Sequence, residues 1–170
     1  MSNEPNEKEI NVHIRWMIRR DMPEVLEIEK TSFEFPWTEE DFIRCLRQRD
    51  CIGMVAEYDD RVLGFMIYER HKNHIHVLDF AVRPDVRRRG IGTQMVQKLK
   101  GKLSHQRRNQ VILEIRETNL AALKFFRVSG FVATDINRNF YNETDEDAIV
   151  MTHHFGKSKL TFVAANARVK

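Results

Sequence analysis

Arg87-Arg88-Arg89-Gly90-Ile91-Gly92-Thr93 follows an apolar run, Val77-Leu78-Asp79-Phe80-Ala81-Val82, and opens a segment with Ile91, Met95, Val96, Leu99 and Leu103 on one face. The run reads as a buried strand and the segment as an amphipathic helix. A strand, a basic glycine-containing turn and a helix start together make an anion site. The first N–H groups of a helix have no internal acceptor, and its dipole favours negative charge there. Gly90 and Gly92 allow close approach of a ligand to the backbone, and three arginines favour a phosphate group. The plainer alternative is a helix start with a solvated arginine run.

The dinucleotide fingerprint needs a third glycine and the nucleotide-triphosphatase loop needs Gly-Lys-Ser/Thr; both are absent. Working outward, Val12 to Ile18 alternates as a first strand. Asp21-Met22-Pro23-Glu24 reads as a capped helix start, followed by Val25, Leu26, Ile28 and Phe33. Phe35-Pro36-Trp37 breaks that helix, and Thr38-Glu39-Glu40-Asp41 opens another. Ile52–Tyr58 and Val62–Tyr68 read as a hairpin turned at Asp59-Asp60. Ile75–Val82 is the next strand and Val111–Ile115 a later one, with the helix from Gly90 to Ser104 between them. That crossover predicts a parallel pair. Asn119 caps a helix through Val128, with Gly130 left-handed beyond it, and Phe131–Asn137 and Ala148–His153 close the sheet.

Composition sets the class. A chain of 170 residues suits one domain, and 42% apolar residues can fill a core. A net charge of +3 excludes nucleic-acid binding by bulk charge. No apolar run reaches the roughly 20 residues of a membrane span. Met1 to Glu9 reads as disordered, and the tail after His154 returns to low order with Leu160, Phe162 and Val163 able to dock. Cys45 and Cys51 lack partners at metal-ligand spacing and no signal peptide precedes them, so a reduced cytoplasmic protein is the simple expectation. His71, His74 and His76 raise the question of a metal, but no second ligand cluster accompanies them, and no metal is expected.

The spacing Arg87-x-x-Gly90-x-Gly92 resembles the pyrophosphate loop of the GNAT N-acetyltransferases. Glu114-Ile115-Arg116-Glu117-Thr118-Asn119-Leu120-Ala121-Ala122 with Gly130-Phe131 resembles that family's fifth-strand and fourth-helix block. Phe35-Pro36-Trp37, Asn139-Phe140-Tyr141 and Asp147-Ala148-Ile149-Val150-Met151 narrow the resemblance to the RimI-type ribosomal-protein alanine N-acetyltransferases, over Ile14 to Thr152. The resemblance implies an α/β (α+β) GNAT fold, a single mixed, mostly antiparallel sheet of about seven strands with about four helices. Residues 1–11 form the disordered start, 12–155 the acetyltransferase domain and 156–170 a basic tail.

It also implies acetyl-coenzyme A as cosubstrate and a protein N-terminal α-amine as acceptor, with a ribosomal protein the best named target; neither nucleic acid nor membrane is an expected partner. Phe80, Ala81 and Val82 would meet the pantetheine and thioester. Arg87, Arg88, Arg89, Gly90, Ile91, Gly92 and Thr93 would hold the pyrophosphate, and Asn119 would bond the cofactor. Glu114 matches the general base, His76 lies where a water-ordering residue is found, and Phe35, Pro36, Trp37 and Tyr141 would form the acceptor site on two loops. One position departs from the pattern: where the family carries a proton-donating tyrosine beside the cofactor, this chain has Phe126, leaving water or Tyr141 to help the thiolate leave. Lysine or small-amine acetylation, or coenzyme A binding with little activity, are the competing expectations.

Overall fold

The computed structural model describes residues 8–156. Its seven strands form one mixed sheet in the order β1-β2-β3-β4-β5-β7-β6, and the chain divides into two compact units. The tail residues expected to dock lie outside the described residues.

The first unit comprises Met1–His71 with Val77–Lys102. It holds β1 (His13–Trp16), α1 (Met22–Ser32), α2 (Glu39–Leu46), β2 (Cys51–Tyr58), β3 (Arg61–Arg70), most of β4 (His74–Val82) and α3 (Ile91–Lys100). The β2–β3 hairpin turns as predicted, with both Asp59 and Asp60 in the left-handed region that such tight turns require. Thr38 and Asp41 make a capping box on α2: the Asp41 N–H donates to Thr38 Oγ1 and the Thr38 N–H to Asp41 Oδ2. The expected box at Asp21 does not form on α1. The Asp21 carboxylate instead accepts two bonds from Arg15, at 2.7 and 2.9 Å, and one from the Ile18 N–H. A guanidinium fork outcompetes a single backbone donor for that carboxylate.

Val25, Ile28, Phe42, Val55, Phe65 and Ile67 form this unit's core. Fully burying each such side chain is worth about 1.5–3 kcal/mol relative to exposure. Cys45 and Cys51 are joined as a disulfide linking the end of α2 to the start of β2. This corrects the expectation of two reduced thiols. Spacing carries no information on whether the chain brings two sulfurs into register, and here the turn between helix and strand does so.

The second unit comprises Lys72–His76 with Leu103–Lys170. The start of β4 pairs in parallel with β5 (Gln110–Arg116), as the crossover predicted. β7 (Glu146–His154) lies antiparallel between β5 and β6 (Val132–Tyr141). The helix α4 (Leu120–Val128) ends in a Schellman motif. Gly130 is left-handed, its N–H donates to the Arg127 carbonyl, and the Phe131 N–H reaches back to the Phe126 carbonyl. The apolar contact that accompanies this motif is Phe126 on Phe131, with ring centroids 5.2 Å apart.

Candidate active site

In the second unit, β4 and β5 place two titratable groups side by side. His76 pairs with Ile112 in register, and side chains two apart on a strand share a face, so Glu114 lies diagonally next to His76. His76 Nε2 and Glu114 Oε2 are 2.6 Å apart. The two side chains retain 25% and 17% of their exposure, enough for solvent or substrate to reach them. Arg116, one step further along the same face, lies over the Tyr141 ring at 4.7 Å from its centroid. The Tyr141 hydroxyl donates to the Glu114 carbonyl at 3.5 Å. Burial, reinforced by the charge of Glu114, pushes the Tyr141 phenol up to about 12. The structure thus brings together Glu114, His76 and Tyr141.

Tyr141 ends strand β6, which runs four residues beyond its expected limit, so it is a strand residue rather than part of a free loop. Asp147 fastens this end of the hairpin, accepting from Arg138 at 2.6 Å and from the Asn139 N–H at 2.9 Å. Asn119 Oδ1 accepts from the Ala122 N–H, which makes it the helix cap and leaves its amide N–H₂ for a second partner. Phe126 is only 6% exposed and stacks edge-on with Phe125 and Phe131.

In the first unit, Gly90 caps α3 in the left-handed conformation, and among the described residues no side-chain cap bond is made there. Donors left open at a helix start suit a pyrophosphate. The three arginines divide their labour, which the sequence did not reveal. Arg87 donates to the Val82 carbonyl at 3.0 Å and to Ser32 Oγ at 3.1 Å, tying the end of β4 to α1. Arg89 donates to the Lys8 carbonyl, and the Ile10 N–H returns a bond to the Arg89 carbonyl. Arg88 makes no such bond among the described residues and stands in the left-handed region at φ 62°. Phe35 is exposed, whereas Trp37 is half-buried against Phe42 with centroids 5.3 Å apart. The Trp37 N–H donates to Glu29 Oε1 at 2.7 Å. Glu29 and Asp79 are buried carboxyls that the sequence reading did not single out. The available signal was an aspartate in the middle of the apolar run Val77–Val82.

The mixed seven-stranded sheet with these helices matches the fold of solved acetyltransferases. The chain belongs to the acetyltransferase (GNAT) family, whose model matches residues 22–131. It is an acetyl-coenzyme A-dependent N-acetyltransferase. The ribosomal protein bS18-alanine N-acetyltransferase of Salmonella typhimurium is 32% identical over 133 residues, which cover 77% of this chain and 89% of that protein. The crystal structure of the ribosomal-protein-S18-alanine N-acetyltransferase from Escherichia coli superimposes with a TM-score of 0.77 at 25% identity, covering 87% of this chain and 96% of that one. Ard1 from Thermoplasma volcanium superimposes with a TM-score of 0.78 at 25% identity, covering 87% of this chain and all of that one.

Proposed function

We propose that this enzyme acetylates the N-terminal α-amine of a protein, that a ribosomal protein is the acceptor, and that it works in the cytoplasm by direct attack with Glu114 as base. The observation that carries the mechanism is the 2.6 Å contact between His76 and Glu114. The pair accepts the proton that the amine loses as it attacks the thioester carbonyl, directly or through one water. An α-amine has a pKa near 7.7–8.0 against about 10.4 for lysine, so at neutral pH its free-base fraction is a few hundredfold larger. A carboxylate–imidazole pair is strong enough for that acceptor without further help. An N–H near Val82 polarises the thioester carbonyl, as an oxyanion donor does. Coenzyme A leaves as a thiolate, and a thiol of pKa near 8.5 leaves without a dedicated acid. Tyr141, held up at about 12, is too weak an acid for that step and serves the acceptor as a hydrogen-bond partner instead. Arg88 and the first turn of α3 hold the pyrophosphate, while Asn119 offers its free amide to the cofactor.

The similarity to ribosomal-protein alanine N-acetyltransferases supports the choice of acceptor. No helix of the described residues is long and apolar enough to cross a membrane. The Cys45–Cys51 bond is unusual for the cytoplasm of a mesophile. Thiol blocking at lysis, followed by mass measurement, reports its state in the cell. The test of function is free-thiol release from acetyl-coenzyme A with two peptides. One has a free N-terminal alanine and no lysine; the other has a blocked N-terminus and one internal lysine. Turnover on the first alone is expected. Turnover on the second alone moves the acceptor to lysine, and silence on both argues for a different acceptor or a coenzyme A-binding protein.

A further inference from the structure

Asp79 lies on the inner face of β4 between Val77 and Ala81, and Glu29 on the inner face of α1 beside Ile28. They are 8% and 2% exposed. Their carboxyl groups lie side by side, close enough for one to hydrogen-bond the other once a proton sits between them. Glu29 Oε1 also accepts from the Trp37 N–H at 2.7 Å, and Asp79 accepts from the Phe80 N–H. Glu29 Oε2 and Asp79 Oδ2 are fully shielded and, among the described residues, meet no N–H or O–H donor. Two carboxylates cannot bond to one another without a proton, since an ionised carboxylate only accepts. Burial pushes the Asp79 carboxyl well above its ordinary range, and the adjacent Glu29 charge pushes it further; burial also raises Glu29. Among the described residues, the groups acting on the two carboxyls are each other, the Trp37 N–H from the α1–α2 loop and the Phe80 N–H of β4. Their neighbours Val25, Ile28, Val77 and Ala81 are apolar and offer no counter-charge.

We propose that Glu29 and Asp79 share a single proton, and that this pair is a positioning device fixing the backbone of Trp37 in the acceptor loop against β4 at Phe80. The roles of Trp37 and Phe80 rest on the α-amine reading above; the shared proton does not. As pH rises, the proton passes to solvent base and two like charges remain in an apolar site. Their repulsion releases the Trp37 N–H and loosens the acceptor loop. Asp79→Asn and Glu29→Gln each replace the shared proton with a permanent amide donor of the same shape. Both keep the loop in place at every pH.

The experiment uses the full chain. Infrared spectra at neutral pH should show a protonated carboxyl stretch that disappears in both D79N and E29Q, because either variant leaves one ionised carboxylate. Amide exchange at Trp37, corrected for its intrinsic rate, should accelerate in wild type by up to about tenfold per pH unit above the release point and stay flat in D79N. The wild-type to D79N ratio of peptide KM should rise over the same pH range, with the kcat ratio unchanged. Absence of the band, its survival in either variant, or equal Trp37 exchange in wild type and D79N overturns the proposal. A flat KM ratio overturns it as a device for the acceptor. If no peptide is turned over, the α-amine reading fails by itself, and the band and the Trp37 exchange still decide the pair.

Discussion

His76 Nε2 and Glu114 Oε2 stand 2.6 Å apart although their residues lie two positions out of register on adjacent parallel strands. A bond this short between an imidazole and a carboxylate is charge-assisted, and each group fixes the orientation of the other. Glu114→Gln is therefore expected to lower kcat by about 10²–10⁴-fold and leave the KM for acetyl-coenzyme A nearly unchanged. His76→Ala lowers kcat less. Because the two act as a unit, the double variant is no slower than Glu114→Gln by the full His76→Ala factor. Steady-state kinetics on the three variants checks this, and unchanged turnover in Glu114→Gln removes that carboxylate from the mechanism.

The fold was legible because its local signals agree with one another. The alternation around β4, the left-handed Gly90 before α3, Asn119 at the α4 start and Gly130 at its end each do in the structure what their backbone chemistry demands. The site was legible in part. Glu114 and His76 were each visible as polar residues in apolar strands, but their pairing depends on strand register, which no single segment encodes. Asp21 misled because a capping aspartate and an ion-paired one look alike until Arg15 is placed nearby. Glu29 and Asp79 stayed hidden for the same reason: 50 residues of sequence separate two carboxyls that only packing brings together.

The division among the three arginines makes two different predictions. Arg88→Ala removes a cation with no bonds to the described residues, so stability holds while the KM for acetyl-coenzyme A rises roughly 10–100-fold, the value of a hydrogen bond to a charged group. Arg87→Ala removes the bonds to the Val82 carbonyl and to Ser32, and so lowers stability by about 1 kcal/mol. Denaturant melts beside initial-rate measurements separate the two. Equal effects on both readouts in both variants would defeat the assignment.

Phe126→Tyr tests whether a phenol is wanted at this position. The ring already serves the Schellman contact with Phe131 inside an aromatic cluster. A hydroxyl added there costs about 1–3 kcal/mol of stability if it finds no partner. Since the thiolate leaves without an acid, turnover is expected to change by less than about tenfold. A larger gain would show that the native site lacks a proton donor.

Tyr141 gives the prediction with a defined pH window. Burial, and next the nearby Glu114 charge, hold its phenol at about 12 in the folded protein, against about 10 in an unfolded chain. Below pH 10 the phenol is neutral in both states and adds no pH dependence. Between 10 and 12 the unfolded state loses the proton first, so it binds fewer protons than the folded state and stability falls as pH rises. Partial solvent access to the ring tempers the slope. Tyr141→Phe should abolish this alkaline component in urea melts taken across that window. At neutral pH the same variant loses the hydroxyl that faces the Glu114 carbonyl but keeps the ring under Arg116. Its peptide KM should therefore rise several-fold, roughly the value of one hydrogen bond, with kcat little changed. A collapse of kcat by 10²-fold or more would instead make the phenol a proton donor in the chemical step.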